Sequence, residues 1–238
     1  MAYVQGFIIA VPTEKKDAYI AHANGALPIF KDLGMTRMVE GWGDDLPEGK
    51  VTDFRKAVLA EEGETVVFSW CEYPDRATYE SAKVKMMEDP RMEQLGDMPF
   101  DGKRMVYGGF DPFVDERGQG RGGYADGFVL PVPEVNREAY RKMAFDAAAV
   151  FKEYGAVRVV EAWGDDVPDG KVTDFRRAVK AEDGEAVVFS FIEWPDKETR
   201  NQAWEKVMAD PRMKPDHGSM PFDGQRMFWG GFQPVVDA

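Results

Sequence analysis

The chain is poor in the residues that most often carry chemistry. One of its 238 residues is cysteine, Cys71, and two are histidine, His22 and His217. A single thiol excludes an internal disulfide framework, and three such side chains are too few for a zinc cluster within the chain, so no metal is expected. No apolar run approaches the ~20 residues that span a bilayer. Met1 to Gly6 lacks the basic segment and following apolar stretch of a secretory leader, so a cytoplasmic address is expected. The glycine-rich stretch from Gly118 to Gly123 has neither the preceding strand nor the following helix of a phosphate-binding loop, and no serine-centred nucleophile elbow occurs. Positive charge is in deficit as well: 30 Lys and Arg against 43 Asp and Glu leave −13. Such a field repels phosphate backbones and anionic lipid, so neither nucleic acid nor membrane is expected as a partner.

What the chain does have is apolar material, 44% hydrophobic and 13% aromatic, enough for a folded core. It also has itself twice. Glu40-Gly41-Trp42-Gly43-Asp44-Asp45-Leu46-Pro47 returns as Glu161-Ala162-Trp163-Gly164-Asp165-Asp166-Val167-Pro168, an offset of 121 residues. Tyr3 meets Tyr124, Phe30 meets Phe151, Glu72 meets Glu193, and Asp89-Pro90-Arg91-Met92 meets Asp210-Pro211-Arg212-Met213. A one-residue insertion near His217 moves the offset to 122, where Met98-Pro99-Phe100 meets Met220-Pro221-Phe222. The organisation expected is a repeat over 1–114, a flexible linker over 115–123 and a second repeat over 124–238.

Each repeat reads as β-α-β-β-β-α-β. Tyr3 to Val11 is a strand stopped by Pro12. Thr13 is expected to cap a helix whose apolar stripe, Tyr19, Ala23, Ala26, Phe30 and Leu33, ends at Gly34. Met35 to Trp42 is strand-like, Phe54–Ala60 and Thr65–Glu72 read as a hairpin, Asp75 caps a second helix to about Met87, and Arg104 to Phe110 is the last strand. The methionines Met86, Met87 and Met208 read as core filler. This order is the split β-α-β pattern of ferredoxin-like domains with one extra strand. Its helix-free sheet face would carry Tyr3, Phe7 and Ile9 with Val66, Phe68 and Trp70, an apolar area that needs a cover. The fold class expected is therefore α+β: two ferredoxin-like repeats packed sheet to sheet as an intramolecular pseudo-dimeric α/β barrel, with a higher oligomer left open.

Both repeats resemble the YbaA-like family of small bacterial proteins of unknown function. The motifs that carry the resemblance are Tyr3 to Phe7, Glu40 to Arg55, Val67-Phe68-Ser69-Trp70 with Glu72, Asp89 to Met92, and Met98 to Met105. The resemblance covers nearly all of both copies and implies a dimeric α/β-barrel fold with the two protomers fused. It implies no activity, substrate or cofactor. Asn24-Gly25 and Pro28 in the first long helix replace Phe145, Asp146 and Ala149 of the second, and Pro28 is expected to kink it.

Strand alternation puts Glu40 on one face with Trp42, and Glu161 with Trp163. A carboxylate among apolar residues in a semi-enclosed barrel would have a raised pKa and serve as a general acid or base. The plainer alternative is a Glu paired with an arginine or a tyrosine hydroxyl. Glu72 and Glu193 continue the Phe68–Trp70 face but lie beside Pro74, where a solvated strand end is the plainer reading, and Arg55 and Arg104, with Arg176, are candidates to bind a carboxylate ligand bidentately, the alternative being salt-bridge donors. The loop acids Asp44, Asp45 and Asp53 lack calcium-loop spacing. Neither histidine has a histidine counterpart in the other repeat, so a symmetric mechanism cannot use them. The reading placed first is a cofactor-free small-molecule enzyme acting in a barrel cavity; a non-catalytic small-molecule binder and a protein-interaction scaffold stand as alternatives.

Overall fold

The computed structural model describes residues 2–213 and 220–238, so His217 lies outside the described residues. The first repeat contains β1 (Tyr3–Pro12), α1 (Lys16–Asp32), β2 (Arg37–Asp45), α2 (Phe54–Ala57), β3 (Glu64–Tyr73), α3 (Arg76–Glu88), α4 (Pro90–Gln94) and β4 (Val106–Arg117). The second contains β5 (Tyr124–Pro133), α5 (Arg137–Glu153), β6 (Arg158–Asp166), α6 (Phe175–Ala178), β7 (Glu185–Trp194), α7 (Lys197–Ala209) and β8 (Phe228–Asp237). Among the described residues, no helix is long and apolar enough to cross a membrane.

Local signals account for most boundaries. Gly34, at φ +103°, stops α1 while the Met35 N–H returns to the Phe30 carbonyl at 3.0 Å. Asp75 caps α3 by accepting the Thr78 N–H at 2.7 Å. Thr13 does not cap α1; it opens a short 3-10 turn, and the helix begins at Lys16 without a side-chain cap. Pro28 lies inside α1, which still runs 17 residues, as α5 does. Phe54–Ala60 is not a strand. The Asp53 carboxylate accepts the Lys56 N–H at 2.7 Å and caps α2, and Leu59 closes it with φ 51°. Asp174 and Lys180, at φ 52°, do the same for α6. Two helix-end devices outweigh the β preference of Phe54 and Val58.

The eight strands close into one antiparallel barrel in the order β1-β3-β2-β8-β5-β7-β6-β4. Each repeat supplies four neighbouring strands, and two seams join the repeats: β2 with β8 and β4 with β6. The second seam takes part of the expected linker, because Asp115, Glu116 and Arg117 continue β4 and pair with Val160, Val159 and Arg158. Only 118–123 remain as the bridge between β4 and β5.

The inner faces of the repeats meet across the barrel. Phe68 stacks on Phe189 at 4.6 Å and Trp70 on Phe191 at 4.1 Å. Gly6 and Gly127 make room for this, since a Cβ on Gly6 would come within 2.6 Å of the Phe189 ring and one on Gly127 within 2.9 Å of Phe68. The face expected to carry Tyr3, Phe7 and Ile9 inward is corrected by register. Gly6, Ile8 and Ala10 lie opposite Trp70, Phe68 and Val66 and point in, so Tyr3, Phe7 and Ile9 point out beneath the helices. Because β1 is apolar on both faces, alternation alone cannot say which is which. Met87 and Met208 are 78% and 73% exposed and fill no core.

Candidate functional site

Glu40 and Glu161 lie on the outer face of the barrel, under the long helices. Register sets Glu40 opposite Ser69 and Glu161 opposite Ser190. The Tyr19 hydroxyl of α1 donates to Glu40 Oε2 at 2.6 Å, and the Tyr140 hydroxyl of α5 donates to Glu161 Oε2 at 2.8 Å. Ser190 also donates to Glu161 Oε2. Burial pushes each carboxyl up to about 7, against hydrogen bonds that pull it down. The barrel interior expected to hold these acids is filled by the aromatic stacks; the same alternation that turns Phe68 inward turns Ser69 and its partner Glu40 outward.

The two repeats then diverge. Glu161 is half-buried and forms the floor of a cavity of ≈ 420 Å³ between β5, β6, β7 and α5, walled by Phe128, Met143, Phe151, Trp204 and Phe222. Both donated bonds end on its Oε2, leaving Oε1 without a protein donor among the described residues. Glu40 is only 6% exposed. Phe100 packs against Tyr19, the partner of Glu40, at 5.9 Å and is met edge-on at 6.3 Å by His22, in the place of Met143, while further along α1 the Leu95 side chain lies 3.1 Å from where Gly25 would carry a Cβ. Burial pushes the His22 pKa down. Trp42 and Trp163 stand behind Tyr19 and Tyr140 at 6.2 and 6.4 Å, beneath Lys16 and Arg137.

A second difference escapes the sequence reading. Asp126, fully buried, accepts N–H bonds from the Trp194 and Trp204 indoles at 2.8 Å each and from Arg200 Nε at 2.8 Å. Arg200 reaches on to Asp45 of the first repeat at 2.9 Å. The first repeat has Gln5, Tyr73, Lys83 and Tyr79 at these positions, with the Tyr79 hydroxyl donating to Asp166 at 2.8 Å. The signal was present in the sequence as three aligned positions where the copies differ in charge or aromaticity together, Gln5/Asp126, Tyr79/Arg200 and Lys83/Trp204.

The other candidates lie elsewhere. Glu72 and Glu193 join Arg37, Arg158, Asp115 and Asp237 in a charged cluster at one end of the barrel, where Arg158 meets Glu72 at 2.6 Å and Arg37 meets Glu193 at 2.7 Å. Arg55 and Arg176 donate to the carbonyls of Glu61 and Glu64, and of Glu182 and Glu185, and are not brought to Glu40 or Glu161. Both line up beside the α2 and α6 end of the barrel, where a groove of ≈ 840 Å³ runs past Arg55, Lys56 and Arg177. Asp44 and Asp165 accept hydroxyl protons from Tyr124 and Tyr3 across the seams, at 2.8 and 2.9 Å. The similarity of the two loops thus has a packing reason.

A family model described as "Protein of unknown function (DUF1428)" matches residues 2–102 and again 123–224. The "Uncharacterized protein YbaA" of Escherichia coli K12 is 61% identical over 114 residues, which span 48% of this chain and 97% of that protein; the protein of the same name from Shigella flexneri matches equally. Among solved structures, a "putative monooxygenase" from Fusobacterium nucleatum superposes with a TM-score of 0.58 at 12% identity, over 99% of this chain and 93% of that one. One of the same name from Lactobacillus acidophilus gives 0.55 at 7% identity, over 100% and 96%. Identities this low establish a common fold, an α+β architecture of the dimeric barrel type.

Proposed function

The chain belongs to the DUF1428 family in both of its halves, and from its site geometry we propose that it is a small-molecule enzyme working in the second repeat's cavity. The observation that carries the reading is the Glu161 carboxyl lining a mostly apolar cavity, to which Lys142, Asp146 and Arg212 also contribute, with Oε1 unpartnered among the described residues. Tyr140 and Ser190 hold Oε2 and fix the plane of the carboxyl, so Oε1 is the atom that meets a ligand. A carboxyl titrating near 7 is populated in both forms at neutral pH, which suits it to take a proton from a bound molecule and return it elsewhere. Proton transfer of this kind, as in tautomerisation next to a carbonyl, needs no group beyond the chain's own residues. The volume lies in the range that encloses a small metabolite, and the methionine among its walls adapts to irregular shapes.

On this reading the repeats are ferredoxin-like units, 1–117 and 124–238, fused through 118–123, and the protein's partner is a small apolar metabolite. The test is a screen of carbonyl compounds by proton exchange into deuterated water, followed by nuclear magnetic resonance. Turnover by the wild type that falls about 10²- to 10⁴-fold in Glu161→Gln supports an enzyme. Binding detected calorimetrically without exchange in any compound turns the reading into that of a binder; turnover unaffected by Glu161→Gln removes the site.

A further inference from the structure

Trp204 and Lys83 occupy equivalent places on α7 and α3, and they point to different ends. Lys83 leaves its sheet for Asp166 across the seam. Trp204 instead lines the cavity, and its indole N–H is fixed on Asp126 Oδ2 at 2.8 Å. That carboxylate is fully buried, and its other oxygen is taken by Arg200 Nε at 2.8 Å. Oδ2 also accepts the Trp194 indole N–H at 2.8 Å, so rotating Trp204 away would remove one of the N–H donors to a buried charge, which is costlier than breaking a bond at the surface. The ring is therefore held in one plane. Phe151 abuts it at 5.2 Å with planes at 70°, which braces the indole from the side. Glu161 Oε1 lies at the floor of the same cavity without a protein donor among the described residues.

A fixed indole face on one side and a proton acceptor at the base favour one shape of ligand. A flat ring can lie against the indole over its whole area and match its quadrupole, whereas a puckered ring of the same carbon count touches it at a few hydrogens. We propose that the cavity selects a planar ring system carrying a weakly acidic O–H or N–H, its face against Trp204 and its proton toward Glu161. Asp126 is the positioning residue that holds the indole in place. The inference rests on the reading of this cavity as the ligand site. It adds the class of ligand and a residue that touches no ligand itself.

The full chain is titrated by calorimetry with 2-naphthalenemethanol and with its decahydro analogue, which share a carbon skeleton and an aliphatic hydroxyl of closely similar acidity and differ in planarity. Wild type is expected to favour 2-naphthalenemethanol by about tenfold. Trp204→Leu keeps an apolar wall and should bring the ratio close to one while both alcohols still bind. Asp126→Asn keeps the indole but frees it, and should reduce the ratio part of the way. If circular dichroism finds that variant unfolded, the double change Asp126→Asn with Arg200→Gln, which leaves no uncompensated charge, takes its place. A ratio near one in wild type, or a ratio unchanged by Trp204→Leu, overturns the ligand class. A ratio unchanged in a folded Asp126 variant overturns the positioning role. Glu161→Gln separates this proposal from the one it rests on: equal weakening of both alcohols with the ratio retained supports both. Binding of neither alcohol to wild type overturns the cavity as their site.

Discussion

The barrel interior and the helix layer treat the two repeats differently. Inside, matched positions hold residues of one character: Phe68 stacks on its own counterpart Phe189 and Trp70 on its counterpart Phe191, and Phe68 and Phe189 each lean over the other repeat's glycine, Gly127 or Gly6. In the helix layer, Gln5 faces Tyr73 while Asp126 faces two tryptophans and Arg200, and Lys83 corresponds to Trp204. The difference follows from what each residue touches. An interior residue packs against its own copy, so a change on one side has to fit the unchanged side. A residue beneath a helix packs mainly within its own repeat and can change alone.

The largest effects should fall where the repeats agree. Phe68→Ala and Phe189→Ala should each cost about 4 kcal/mol in urea unfolding, with equal losses; losses differing by more than about 1 kcal/mol would break the claim of a symmetric interior. Next comes the sharpest contrast. Asp126→Ala strands the buried Arg200 and should cost about 3 kcal/mol, whereas Gln5→Ala in the first repeat should cost about 1 kcal/mol. Equal costs would mean that the buried ion pair adds nothing over a neutral contact.

The acids beneath the helices offer a pH test. The Glu40 carboxyl rises from 4.5 unfolded to about 7 folded, so its protonated form is the favoured one in the native state. Its contribution to stability is complete below 4.5 and is lost as pH climbs through 7. Glu40→Gln should therefore match wild type in acid and exceed it by about 2 kcal/mol at mildly alkaline pH. Glu161→Gln should gain a similar amount, because burial raises the Glu161 carboxyl to about 7 as well. Stability curves for wild type and Glu40→Gln that run parallel across this range would show that the Glu40 pKa does not change on folding. The smallest effect concerns the left-handed residues that end α2 and α6. Leu59→Gly and Lys180→Gly each relieve a positive φ and should raise stability by about 0.5 kcal/mol, equally in both repeats. A loss in either, seen by thermal unfolding, would show that the side chain holds that turn.

The doubling of the sequence made the barrel legible, because an apolar sheet in each of two covalently joined copies needs a cover and the other copy supplies one. The two seams were not legible, since nothing in Asp115 to Arg117 marks a strand until Arg158 to Val160 lie beside it. Helix ends at Gly34 and Asp75 could be read from single residues. The helix at Phe54 is not legible because Val58 and Phe54 favour a strand and Asp53 reads as a loop acid rather than a cap. Glu40 and Glu161 stand out as acids on an apolar strand, but alternation identifies a face without saying what covers it. Agreement between the copies marks the loop around Asp44, which serves the seam. The positions that shape the cavity, Trp204 and Asp126, are those where the copies disagree.

The bridge at 118–123 has a consequence for inheritance. A barrel assembled from two identical chains is encoded once, so a codon change that turned Lys83 into tryptophan would appear at both sites and remove both Lys83–Asp166 contacts together. Joined end to end, the two halves are written separately, and a change can be tried in one while the other keeps the assembly intact. Two halves written separately are thus free to differ as these do, with Glu40 buried in one and Glu161 lining a cavity in the other.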